Sequence, residues 1–263
     1  MNSDRFADSA GVPWDGRSFE PNPFANDNGA ADPALIAAIK DFHEEKISAA
    51  AVVHAFSEAR LLIPLLANLG SSGVGAHGKV VDKSADLSIV TVLDPDGRMA
   101  VPVFSSVESM GRWNKTARPV PSDAIRVCLS AVQEDGANAR VILDPGSDTE
   151  FALRRPAVWA VAQQRQWIPA YEDPEVIEDF AQALAEEPMV RTFRLLSADP
   201  TYRLQGQEVA VVIWLEPGLT AEQLADFESR FVQTWSEKLN IVERIDSLTI
   251  IYKNATDLDE PAP

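Results

Sequence analysis

The sequence predicts an α+β protein, with a mixed α/β N-terminal domain followed by a small α-β-β-α-β domain of ferredoxin-like form. Three observations lead there. Apolar residues recur at helical spacing in several separate stretches, most of them opened by a capping residue. Between those stretches lie apolar runs of strand length, bounded by Gly, Pro and Asp. Hydrophobic residues make up 46% of 263 residues, enough for two ordinary cores and too many for a chain disordered over most of its length.

Residues 1–31 mix Asp, Asn, Gly, Ser and Pro without a period, which predicts an unstructured arm. Trp14, Phe19 and Phe24 interrupt it. Such side chains either clamp onto the protein's own surface or anchor a linear motif, which makes them candidate partner-binding residues.

The N-terminal domain is expected over residues 32–171. Asp32 and Pro33 form a cap-then-proline helix start, followed by Leu35, Ile36, Ile39 and Phe42 on one face. A second helix from about Ser48 buries Val52, Val53 and Phe56. Residues 61–66 read as a strand in which Pro64 lacks a ladder donor, so an edge or a bulge is expected. A Gly-rich loop spans 70–78. Strands at about 87–93 and 98–104, joined by Asp94, Pro95, Asp96 and Gly97, read as a hairpin. Ser105 and Ser106 suit the cap of a short helix ending near Trp113, and Ser122 or Asp123 that of another reaching about Gln133. Residues 140–143 form a strand stopped by Asp144, Pro145 and Gly146. The apolar stretch 157–161 around Trp159 reads as a further strand, with Trp159, Trp167 and Trp214 as core or interface aromatics.

The C-terminal domain is expected over 172–254. Asp173 and Pro174 repeat the helix start, with Val176, Ile177, Phe180 and Leu184 on the buried face. Strands follow at 191–196 and 209–215. A long helix opens with the capping box Thr220/Gln223 and buries Leu224, Phe227, Phe231 and Trp235. A last strand runs 248–252, and the tail 255–263 is acidic. A small sheet with both helices on one face is the natural assembly.

Charge excludes some functions. Lys and Arg total 23 against 40 Asp and Glu, a net charge of −17, and no basic cluster occurs, so phosphate backbones and anionic lipid surfaces are repelled. One cysteine, Cys128, allows no intrachain disulfide and no multi-cysteine zinc site. The first residues carry no signal pattern and the apolar runs are short, so a cytoplasmic protein is expected.

No candidate chemistry survives inspection. Gly73, Gly75 and Gly78 match a dinucleotide fingerprint in letters only, because the residues after them show no helical face to present free N–H groups. His43, His54 and His77 lack metal-ligand spacing. Asp94 to Gly97 resembles the start of a calcium loop, but the twelfth position is Ser105 rather than a bidentate Glu. Asp94 and Asp144 as paired carboxylates give way to their turn contexts before Pro. Ser105 lacks a nucleophile elbow, and Cys128 lies on an apolar helical face with Ile125, Leu129 and Val132.

Two segments carry a family resemblance. In residues 93–113 a strand ending Val101-Pro-Val-Phe104-Ser-Ser106 precedes a helix with a Trp. In residues 141–147 a strand ends on Asp144-Pro-Gly146. Both resemble signatures of the SseB (enhanced serine sensitivity protein) family, and the element order over about 32–155 agrees. Ser105 stands where Thr is commoner and Asp144 where Asn is, and both changes preserve capping chemistry. The remainder resembles that family's smaller C-terminal domain. The arm, with Val12-Pro-Trp14 and Gly16-Arg-Ser-Phe19, is similar to the extension of actinobacterial members. The resemblance implies no agreed active site and transfers no functional residues. The expectation is therefore a non-enzymatic accessory or regulatory protein, without cofactor or metal, that binds a cytosolic protein partner. The alternative is an enzyme or binder of an amino-acid-related small molecule, with its pocket at Phe104, Ser105, Ser106 and Trp113. A homo-oligomer formed through exposed sheet edges is a third expectation.

Overall fold

The computed structural model describes residues 23–66, 73–74, 80–81 and 90–257. Helices and strands mix throughout. Asp32 caps α1 (Pro33–His43), accepting from the Ala34 and Leu35 amides at 2.8 and 3.3 Å. α2 (Ala49–Glu58) buries Val52, Val53 and Phe56, with Ser48 at its N-cap position.

β1 (Arg60–Leu65) pairs antiparallel with β6 (Arg118–Asp123), a strand that sequence reasoning missed because it reads Arg-Pro-Val-Pro. The register explains how two prolines fit there. Leu62 donates to and accepts from Phe104 at 2.8 and 2.9 Å, so residues 62 and 64 of β1 turn their polar groups away from β6. Their partners Pro121 and Pro119 occupy the non-hydrogen-bonded pairs of the ladder, where a missing N–H costs no bond. β2 (Gly73–Val74) and β3 (Val80–Val81) pair briefly; the rest of the Gly-rich loop, His77 included, lies outside the described residues.

β4 (Val92–Leu93) and β5 (Met99–Val103) form the expected hairpin, shorter than predicted, around a turn in which Gly97 takes φ +77°. β5 runs on through α3 (Val107–Trp113), β6 and α4 (Ala124–Asp135) to the parallel strand β7 (Val141–Leu143), and β8 (Phe151–Leu153) closes the order β4-β5-β7-β8. The stretch expected as a strand around Trp159 is instead α5 (Arg155–Ala162). Its apolar residues Ala157, Val158 and Val161 fit one helical face as well as a buried strand, and Pro156 in the first turn decides for the helix. A first core joins α1, α2, α4 and α5 to β1, β5, β7 and β8, with Phe42 and Tyr202 against Phe151.

A second core follows. α6 (Pro174–Leu184), β9 (Val190–Ser197), β10 (Val209–Leu215), α7 (Ala221–Ser236), α8 (Leu239–Arg244) and β11 (Leu248–Asn254) enclose it, with sheet order β11-β10-β9. Val209, Val211 and Ile213 face Val176, Phe180, Phe227 and Phe231, and the last two rings stack at 5.7 Å. The Thr220/Gln223 capping box forms as the sequence predicts.

Residues 23–31, within the stretch expected as unstructured, are ordered. Arg60 holds Asp27 at 3.0 Å and also binds the Ala30 carbonyl. The Gly29 carbonyl accepts from Val107 at 2.9 Å. Gly29 is required there: its φ is +75°, and a Cβ would stand 2.6 Å from Val107 Cγ2. Phe24 is half-buried, whereas Trp14 and Phe19 lie outside the described residues.

Candidate functional site

The structure brings Phe104, Ser105, Ser106 and Trp113 together, but as packing. Phe104 is fully buried and lies 5.2 Å from the Trp113 ring, with Leu62 and Met110 beside it. Both donors of Ser105 serve Asp144: its amide donates to Oδ1 at 2.9 Å and its hydroxyl to Oδ2 at 2.6 Å, while its carbonyl accepts from Arg60 at 3.0 Å. Thr149 adds a third donor at 2.8 Å. Asp144 itself sits at φ +46°, a left-handed position that Asp tolerates better than most residues. Ser106 caps α3 reciprocally with Ser109. The N–H and O–H donors of Ser105 and the amide of Ser106 already have internal acceptors.

The histidines are dispersed. His43 and His54 are exposed on different helices, and among the described residues no group of three His, Cys, Asp or Glu gathers as a metal site. Cys128 is fully buried in the first core, and burial pushes its thiol up to about 12.

Charged groups instead collect, buried, along the seam between the two cores. Arg140, 1% exposed, donates to Asp94 on one side and to Asp246 on the other. Arg154 donates to Asp199 at 2.7 Å and to the Gly206 carbonyl at 2.6 Å, and reaches Asp246 and Ser247 at 3.4 and 3.3 Å. Asp246 is therefore shared by two buried arginines, with the more exposed Arg98 a third at 3.7 Å. Burial lowers the Arg140 guanidinium's affinity for its proton, but Asp246 and Asp94 more than offset this, and its pKa rises. Glu208 completes the seam by accepting the Asp246 amide. Burial, reinforced by the Asp246 charge and opposed by its amide bond and by Arg154 and Arg155, pushes the Glu208 carboxyl up to about 7.

Over this seam opens a cleft of about 1140 Å³ between α5 and α8. Arg155 forms its floor, donating to the Glu243 and Val242 carbonyls at 3.0 and 2.9 Å and to that of Ile245, and so satisfying the open end of α8. Arg244 is tied to Asp173 and Glu175. Trp159 hangs from the Gly136 carbonyl by its indole N–H at 3.0 Å and leaves 38% of its surface exposed. Ile168 and Val242 are exposed beside it, at 43% and 48%. The buried indole N–H groups of Trp167 and Trp235, in the same walls, have no partner among the described residues. Arg165, at the rim, is exposed, and while its amide donates to the Ala160 carbonyl at 2.8 Å its side chain makes no ion pair or hydrogen bond among the described residues.

The cleft was not foreseen. Trp159 was expected to be core or interface, and nothing in the local sequence joins residues near 160 to residues near 243. The one usable signal was Arg155-Pro156 opening a helix. Chemically the cleft offers aromatic and aliphatic surface, the guanidinium of Arg165, and the carboxylates of Asp173, Glu243 and Asp246 with the Ser247 hydroxyl in its lining.

Comparison with known proteins assigns part of the chain. Residues 34–160, just under half of the sequence, match the family model of the SseB protein N-terminal domain. No curated protein and no solved structure matches the chain.

Proposed function

We propose that the chain is a non-enzymatic accessory protein of the SseB type, acting in the cytoplasm by binding an extended segment of a protein partner in the cleft between α5 and α8. The observation that carries this reading is the exposure of Trp159, Ile168 and Val242 around one concave site with the unpaired Arg165 at its rim. Aromatic anchors in a desolvated pocket ringed by charge are the usual energetic centre of a protein interface. The match over 34–160 supports the family reading. The two separate cores support an N-terminal domain at 32–171 and a C-terminal SseB domain at 172–254, the arrangement of actinobacterial members. Binding without catalysis fits a site in which the seam's carboxylates are held by arginines and the thiol of Cys128 is sealed in the core.

The test is a comparison of full-length wild type with Trp159→Ala and Arg165→Glu. Chemical-shift or cross-linking contacts of a captured partner should map to α5 and α8, and each substitution should weaken capture by at least about tenfold; the exposed Arg165→Glu should do so with the melting curve unchanged, and Trp159→Ala with the far-UV circular dichroism of the folded protein retained. Capture that survives both substitutions places the partner elsewhere and removes the reading.

A further inference from the structure

We propose that two copies of the chain pair through β11, edge to edge and antiparallel about Ile250, joining their three-stranded sheets into one of six strands. β11 ends the sheet order β11-β10-β9, and among the described residues no strand lies on its far side. The ladder with β10 fixes what that side offers. The Ser247 carbonyl accepts from Val209, so in the parallel register residues 247, 249, 251 and 253 turn their polar groups towards β10. Leu248, Ile250 and Tyr252 turn theirs outward, and none of the three bonds to a described residue there.

Other edges are guarded, as sheet edges usually are. β6 turns the missing donors of Pro119 and Pro121 outward. β8 is covered where Ala152 donates to the Tyr202 carbonyl at 2.7 Å. β9 carries the exposed Arg191 and Arg194, and β4 is two residues long. β11 has no such guard among the described residues: 248–252 read Leu-Thr-Ile-Ile-Tyr, uncharged and half-buried throughout. In a chain of net charge −17, an uncharged stretch is where a second copy can approach.

The strand also fits itself. About Ile250, that residue faces its own copy and Leu248 faces Tyr252 of the second copy. All are outward-turned, so the three pairs exchange about six hydrogen bonds. Lys253 falls opposite Ser247 of the second copy, which keeps the two lysine positions about 20 Å apart along the strands. α7 adds an apolar contact. It returns the chain from the end of β10 to the start of β11, antiparallel to β11, with Phe227 6.0 Å from the Tyr252 ring. Five residues on, about 7 Å of helix, Val232 stands level with Ile250. Glu228, one turn before Val232 on the same flank, faces the Tyr252 hydroxyl, and Val232 is 44% exposed. Val232 thus meets its own copy near the two-fold axis, and Glu228 lies opposite Ser236 of the second copy rather than another carboxylate. Such a contact is closed, so pairing stops at two copies.

Sedimentation velocity of the full chain from about 1 to about 100 μM should show twice the chain's mass at the upper end. Val232→Glu, an exposed change that sets two carboxylates near the axis, should weaken pairing at least about tenfold. So should Thr249→Lys, which places a charge against Ile251 of the second copy. Thr192→Lys, the matching change on β9, should leave pairing as it is. The amides of Leu248, Ile250 and Tyr252 should exchange slowly in the wild-type dimer and fast in Val232→Glu. A wild type of single-chain mass throughout overturns the proposal, and slow exchange at the three amides then identifies another segment of the same chain as the cover. A dimer that survives both Val232→Glu and Thr249→Lys also overturns it, as does one broken by Thr192→Lys, which moves the contact to β9. Each outcome is read on the isolated chain, so partner capture in the cleft stands or falls on its own test.

Discussion

Replacing Glu208 by Gln should stabilise the protein at neutral and alkaline pH and leave it unchanged in acid. Glu208 lies at the seam, 4% exposed, with its carboxylate on the Asp246 amide and its own amide on Ser247 Oγ at 3.1 Å. Arg154 and Arg155 approach from the start of α5, Asp246 from the turn before β11, and the Tyr171–Tyr202 hydroxyl pair from the far side. Its carboxyl titrates near 7 in the folded chain against 4.5 for an ordinary Glu. The folded state therefore holds the proton more tightly, so the stabilisation is complete below about pH 4.5 and is lost as pH rises through 7. At about 1.4 kcal/mol per unit, the loss above pH 8 is on the order of 3 kcal/mol. Gln keeps the acceptor for the Asp246 amide and cannot ionise. Spread over the unfolding entropy of a chain this long, that energy is a midpoint gain of roughly 5 °C. Thermal unfolding followed from pH 4 to pH 8.5 should show the two melting curves coincide near pH 4, separate between about pH 4.5 and 7, and keep a constant gap above that. A gap independent of pH, or a variant less stable than wild type at pH 8, refutes the assignment of a proton to Glu208.

Three further outcomes follow from contacts at the seam and in the first core. Asp246→Ala strips Arg140 and Arg154 of their shared carboxylate and should cost about 3–5 kcal/mol in urea unfolding, because two buried guanidinium groups lose a counter-charge. Ser105→Ala removes one of three donors to Asp144 and should cost about 1–2 kcal/mol, with partner capture untouched. Cys128, its thiol held near 12, should resist iodoacetamide at pH 8 in the native protein and react fully once the chain is unfolded in guanidinium.

Local rules made much of this fold readable, and the failures share a cause. Asp32-Pro33, Asp173-Pro174 and the Thr220/Gln223 box each announced a helix because capping is settled within four residues. β6 hid behind its prolines, since only the register with β1 shows that their missing donors face outward. α5 was misread because a five-residue apolar run does not distinguish a strand from a helical face. Asp94 shows the limit most clearly. Its turn role was readable, and it does accept from Arg98 at 2.8 Å through Oδ1. Its other oxygen binds Arg140, 46 residues on, and no local pattern encodes that. The cleft and the seam are built from such long-range pairs, so they appear only once the chain is folded.

The ionic seam also sets an order of events during synthesis. Arg140 and Arg154 lie near or within the strands that finish the first core, yet Asp246, which they share, is made roughly ninety residues after Arg154. While that stretch is still being translated, the nascent first half holds two arginines whose final environment is dry, Arg140 with Asp94 but not yet Asp246 to pair with and Arg154 with neither Asp199 nor Asp246 yet made. It has to keep them hydrated, and so keep that edge of its core loose, until the last strand leaves the ribosome. Completion of the first half is thus timed by the end of the second, and a message truncated before residue 246 yields a half-protein with an unfinished edge.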